Sequence, residues 1–243
     1  MPPDPSSAAP EPAVAFDRVR FSWSGAGSFG LELDQFGVAR GERVFLHGPS
    51  GSGKSTLLSL LCGIVAPRAG RIEIMGAPFS ALSGPRRDRL RAERFGIIFQ
   101  MFNLLPYASA IDNVVLPLTF APGRAARVGG DRMGEARRLL TALGLPDAAV
   151  RAARADRLSV GQQQRVAVAR ALIGTPDVVV ADEPTSALDA EAREAFLDLL
   201  FGQVQEAGAT LVMVSHDMAL GARFDRRLLL SDIARIRAGG EGA

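Results

Sequence analysis

Between His47 and Thr56 the chain reads HGPSGSGKST, and no other stretch restricts the fold as strongly. Gly48, Gly51 and Gly53 let the backbone curl so that successive N–H groups face one point. An apolar run, RVFLH, leads into the loop, and LLSLLCGIV follows it with helical spacing. G-x-x-x-x-G-K-[ST] between a strand and a helix is a phosphate-binding loop. Its N–H groups and the helix N-terminus hold phosphate oxygens, and the Ser55 hydroxyl suits Mg2+. Gly48, Pro49, Ser50, Gly51, Ser52, Gly53, Lys54, Ser55 and Thr56 are therefore the candidate nucleotide-binding residues.

Of the 28 basic residues, Lys54 is the single lysine. A compact ammonium on a slim stem fits a tight loop around β- and γ-phosphates, where the planar fork of arginine does not. The other basic positions carry no such constraint, and all hold arginine.

A strand–loop–helix of this kind belongs in an α/β core, and the rest of the chain agrees. VAFDRVRFSW (14–23) alternates as a strand, with Val14, Phe16, Val19 and Phe21 inward after a register change. Leu31 to Phe36, GRIEIMG and RFGIIFQ read as further strands. PDVVVADEP and ATLVMVSHD are continuous apolar runs, as strands covered on both faces require. Helical spacing marks 161–173 and 190–206. Strands alternating with helices imply a mostly parallel sheet with helices on both sides.

Residues 102–158 differ, with no β-branched run. They read as a small helical lobe inserted into one α/β domain (13–243), whose core is 13–101 and 159–243. Within the lobe, APGRAARVGG (121–130) reads as a solvent-exposed loop. MPPDPSSAAPEP (1–12) has the composition of a disordered tail and lacks the layout of a signal peptide. Net charge is only +2, so there is no nucleic-acid footprint and no nucleic-acid partner is expected. Cys62, the one cysteine, suits a reducing compartment and a core position. The longest apolar run, 57–66, is half of the roughly 20 residues a spanning helix needs, so a cytoplasmic location is expected.

PDVVVADEP ends in Asp182-Glu183. One carboxylate at such a strand end can hold hydrated Mg2+, and its neighbour can polarise an attacking water. At this point the chain resembles the ABC-type ATPases. LSVGQQQR (158–165) is similar to their signature motif, DEPTSALD (182–189) to their Walker B and D-loop, Gln100 to their Q-loop, and His216 in VSHD to their switch histidine. Trp23 stands where the family has an aromatic that stacks on adenine. Six motifs in order cover about 14 to 233. Val160 departs from the family's usual glycine, while Ser159 and Gly161 on either side are retained.

The resemblance implies the ABC ATPase fold, with an antiparallel β edge on the parallel core. It implies ATP and Mg2+ as cofactors and a head-to-tail dimer of two copies. In that dimer the nucleotide meets the loop of one chain and Ser159, Gly161, Gln162 and Asp189 of the other. Glu183 is then the general base, His216 and Gln100 complete the catalytic set, and Ser55, Gln100 and Asp182 hold the metal. The wording of FQMFNLLPYASAIDNVVLPL and LSVGQQQRVAVARALI is similar to the lipoprotein-release, macrolide-export (MacB-like) and FtsX-paired cell-division ATPases. This implies a bacterial export, lipoprotein-release or mechanotransmission system with an integral membrane permease docked on Phe102 to Leu118, and a position on the inner face of the membrane. An importer ATPase, or a soluble ABC ATPase acting on nucleic acid or ribosomes, remains the alternative.

Overall fold

The computed structural model describes residues 11–23, 29–145, 154–186 and 188–237. Most of the expected N-terminal tail lies outside them. Two sheets form the frame. The first is antiparallel: β1 (Val14–Ser22), β2 (Gly30–Val38), β4 (Ala69–Ile74) and β9 (Arg235–Arg237), in the order β4-β1-β2-β9. The second is parallel: β3 (Arg43–His47), β5 (Phe95–Ile98), β6 (Val178–Asp182), β7 (Thr210–Val214) and β8 (Arg226–Leu229), in the order β5-β6-β7-β3-β8.

Residue alternation decides which core each side chain joins. Val44, Leu46, Val178, Val180, Val212 and Val214 face the antiparallel sheet and helix α1 (Lys54–Leu61), where they meet Phe16, Leu31, Phe36 and Leu60. Phe45, Val179, Leu211 and Met213 face the other way, onto α6 (Val160–Leu172) and α7 (Ala190–Glu206). Each such Val or Leu, removed from water, contributes about 1.5–3 kcal/mol. This double burial is why β6 and β7 read as unbroken apolar runs.

The register change expected in β1 is present. Pairing with β4 shifts between Asp17 and Arg20, and Arg18 takes φ 48°. Val14, Phe16, Val19 and Phe21 are all buried, so the bulge restores the inward set. A Cβ on Gly70 would collide with the Arg18 carbonyl, which explains glycine opposite the bulge.

Between β5 and α6 lie α3 (Ala110–Val115), α4 (Pro122–Val128) and α5 (Arg132–Ala142), after α2 (Gly84–Arg94) on the other side of β5. Ser109 and Asp112 form a capping box on α3. Here one expectation is overturned. Residues 121–130 are not a solvent-exposed loop, because 122–128 form α4 with Pro122 at its first position. Arg124 in it is 2% exposed. Its guanidinium donates to the carbonyls of Phe95, Ala171 and Ile173 at 2.9 Å each, and its N–H donates to Glu93. Four sets of contacts thus pin α4 to the ends of α2 and α6 and the start of β5. Burial pulls the Arg124 guanidinium down to about 10, still charged near neutrality.

Candidate nucleotide site

A parallel sheet leaves the C-terminal ends of its strands on one edge, and ligands bind there. The register brings the relevant ends level: Ile98 pairs with Ala181, Asp182 with Val214, and Leu46 with Val214. Gln100, Asp182-Glu183, His216 and Gly48 therefore all leave the sheet at the same edge.

The glycine loop joins β3 to α1. Gly51 (φ 77°) and Gly53 (φ 88°) are left-handed, and a Cβ on Gly53 would stand 2.7 Å from the Phe29 ring. A Cβ on Gly48 would stand 2.8 Å from Ser52 Oγ. Pro49, Ser50 and Ser55 are exposed, while Thr56 is buried. Lys54 folds into the loop, and its Nζ donates to the carbonyls of Gly48 (2.7 Å) and Pro49 (2.9 Å). Trp23, 45% exposed, donates from Nε1 to Thr56 Oγ1 at 3.3 Å and packs edge-on against Phe21. The aromatic expected to meet a base therefore stands beside the start of α1.

Three observations fit a nucleotide phosphate with a divalent cation. Ser52 Oγ is buried without a hydrogen-bond partner among the described residues. Gly51 and Gly53 hold the loop in left-handed backbone, the kind of curl that turns successive N–H groups toward an anion. Burial raises the Asp182 carboxyl above its usual range, Glu183 adds to this, and Lys54 opposes it. A bound cation would offset that penalty.

Glu183 adopts φ 46° and its N–H donates to Val214 O at 2.9 Å, so its backbone is tied to β7. Its Oε2 accepts from Ser215 Oγ at 3.1 Å and meets His216 Nδ1 at 2.8 Å. The Glu183 side chain is 12% exposed and that of His216 is 68% exposed. Against an ionised carboxylate, Nδ1 carries the proton. Gln100 lies in an exposed turn two residues beyond β5, and no hydrogen bond among the described residues joins it to Asp182.

The second group stands apart. Ser159 caps α6 in a capping box: its Oγ accepts from Gln162 N (3.3 Å), and Gln162 Oε1 accepts from Ser159 N (2.9 Å). Ser159 and Val160 are exposed, and nothing lies near a Cβ built on Gly161. No hydrogen bond among the described residues links Ser159 to residues 48–56. A helix N-terminus facing outward attracts anions from another molecule. Asp189 caps α7 through Ala192 N at 2.8 Å.

Two partners escaped sequence reasoning. Gln164, 2% exposed on α6, donates to the carbonyl of Pro184, next to Glu183. Ser215, 1% exposed, bonds Glu183. A polar residue on the inward face of α6, and a serine beside His216, were the available signals.

Comparison with known proteins bears on this geometry. Residues 31–186 match the family described as ABC transporter. The uncharacterized ABC transporter ATP-binding protein YbbA of Escherichia coli K12 is 44% identical over 197 residues, which are 79% of this chain and 82% of that one. The lipoprotein-releasing system ATP-binding protein LolD 1 of Caulobacter vibrioides is 44% identical over 199 residues, 80% of this chain and 81% of that protein. The macrolide export ATP-binding/permease protein MacB 1 of Aeromonas hydrophila is also 44% identical over 199 residues, but only 29% of its length is spanned. Among solved structures, the dimeric post-hydrolysis state of the ATP-binding cassette MJ0796 with ADP and Pi superposes with a TM-score of 0.79. It is 33% identical, covering 94% of this chain and 100% of that one.

Proposed function

The chain belongs to the ABC transporter family as an ATP-binding subunit and ATPase, and we propose that it drives a bacterial membrane permease of the MacB or lipoprotein-release kind. Its cofactors are ATP and Mg2+. The work done is export, lipoprotein release or mechanotransmission. Among the described residues no helix is long and apolar enough to cross a membrane. In this reading the chain sits peripherally on the inner face of the membrane, held there by the permease.

One observation carries the reading: a single sheet edge gathers the phosphate loop, Asp182, Glu183 and His216, while Ser159 is exposed and its side chain is bonded within its own capping box. One chain holds half of each site, and two copies head to tail complete both. In that dimer Lys54 and the loop N–H groups hold the phosphates, and Trp23 stacks on the base. Ser159, Gly161 and Gln162 of the second copy close over the terminal phosphate, and Asp189 sits between the sites. Ser55, Asp182 and Gln100 would hold Mg2+, which neutralises phosphate charge. Glu183 accepts a proton from the attacking water, and His216 orients that water.

The permease reading is supported by a groove of about 610 Å³ between the core and the lobe, lined by Arg89, Phe99, Asn103, Pro117 and Phe120 among others. Phe120 is 64% exposed and Tyr107, nearby in sequence, 67% exposed. Exposed aromatics of this kind mark a binding surface. Buried Ala110, Val114 and Leu118 build the lobe's own core instead, so only part of 102–118 is available to a partner.

Glu183→Gln tests the chemistry. Hydrolysis is lost and ATP-bound dimers accumulate, read by turnover and size exclusion. Unchanged turnover would mean that another group is the base. Recovery of the chain from membranes without any integral membrane protein would refute the transport role.

A further inference from the structure

We propose that Ser215 is a positioning residue for hydrolysis, its hydroxyl fixing Oε2 of Glu183 so that Oε1 takes the proton from water. This rests on the reading of Glu183 as the base.

Ser215 follows the last residue of β7 and is 1% exposed. A buried hydroxyl is costly unless it is bonded. Its Oγ accepts from the N–H of Asp217 at 3.2 Å, which satisfies it as an acceptor within its own turn. That local bond does not use its proton, which goes to Glu183 Oε2 at 3.1 Å. The backbone N–H of Ser215 donates to Leu46 O at 3.1 Å, on the strand that runs into the phosphate loop. One residue therefore connects the base to the element that carries the phosphate loop.

His216 reaches the same Oε2, but from a largely exposed side chain. Ser215 is the buried, fixed partner. Among the described residues no hydrogen bond reaches Oε1. The proton leaves water for Oε1 as the water oxygen bonds phosphorus, and the bond to the ADP oxygen breaks onto that oxygen. An error in the carboxylate's angle weakens this transfer more than it weakens ATP binding.

Steady-state hydrolysis by the full chain separates the alternatives. Ser215→Ala lowers kcat about tenfold with KM for ATP within about twofold. Ser215→Thr keeps the hydroxyl and restores kcat to within about threefold, whereas Ser215→Val, of the same shape without a hydroxyl, stays as low as the alanine variant. Wild-type kcat in Ser215→Ala, or equal kcat in the Thr and Val variants, overturns the proposal. Glu183→Gln run alongside tells the two readings apart. If it is inactive while Ser215→Ala is normal, only the role of Ser215 fails. If it retains turnover, the base assignment fails and this proposal falls with it.

Discussion

Replacing Arg124 with Met keeps an aliphatic stem of similar length and deletes the guanidinium. The buried hydrogen bonds to the carbonyls of Phe95, Ala171 and Ile173, and a longer one to that of Ala92, disappear together. A bond of this type with a charged donor contributes about 1.5 kcal/mol or more, and a buried acceptor left bare costs about 1–3 kcal/mol. Against this, the variant no longer buries a charge, the same desolvation that pulls Arg124 down to about 10. The net loss is about 3 kcal/mol, a large part of the roughly 5–15 kcal/mol that holds a domain folded. With a urea m-value near 3 kcal/mol/M, the midpoint falls by about 1 M. Equilibrium unfolding followed by the fluorescence of Trp23, the one tryptophan, reads this directly. Arg124→Lys, with one point donor in place of a fork, falls between wild type and Arg124→Met. A midpoint lowered by less than about 0.3 M in Arg124→Met would show that α4 is held by something other than this arginine.

Lys54→Arg keeps the charge, but the fork does not fit where Nζ now meets two loop carbonyls. ATP affinity in a nucleotide titration drops at least about tenfold, and wild-type affinity would remove the steric explanation. Cys62 is buried and its thiol is pushed up to about 12, chiefly by burial. An alkylating reagent at pH 8 therefore labels it only as the chain unfolds, and fast labelling of the native protein would contradict its burial. Asp225 accepts from the N–H and guanidinium of Arg43, which holds its carboxyl below the usual range. A depressed folded value stabilises above the unfolded one, near 4, and is lost as pH falls through the folded value. The pair is partly exposed, so Asp225→Asn costs only about 0.5 kcal/mol at pH 7 and less at pH 2 in unfolding experiments. An equal cost at both pH values would refute the linkage.

The parallel core could be read because burial on both faces leaves a simple mark, unbroken apolar runs ending at an edge. The phosphate loop could be read because its glycines and its lysine have few other uses. Even the β1 bulge showed, as a break in alternation between Phe16 and Val19. The misreading at 121–130 has a physical cause. Pro, Gly and Arg usually signal an exposed turn, but Pro122 starts a helix and Arg124 is buried by carbonyls from two distant segments, 92–95 and 171–173. Nothing local encodes those acceptors. Gln164 and Ser215 were hidden for the same reason. Each is an ordinary polar residue until the fold supplies its partner, the Pro184 carbonyl for one and the Glu183 carboxylate for the other.

The Gln164 clamp has a wider meaning in a head-to-tail pair. In that proposed pair the helix that opens with Ser159 would reach toward the neighbour's nucleotide, yet little more than a turn in, Gln164 ties it to the Pro184 carbonyl beside Glu183. A single helix would therefore join the Ser159 end, offered to one site, to the loop beside Glu183 in the other.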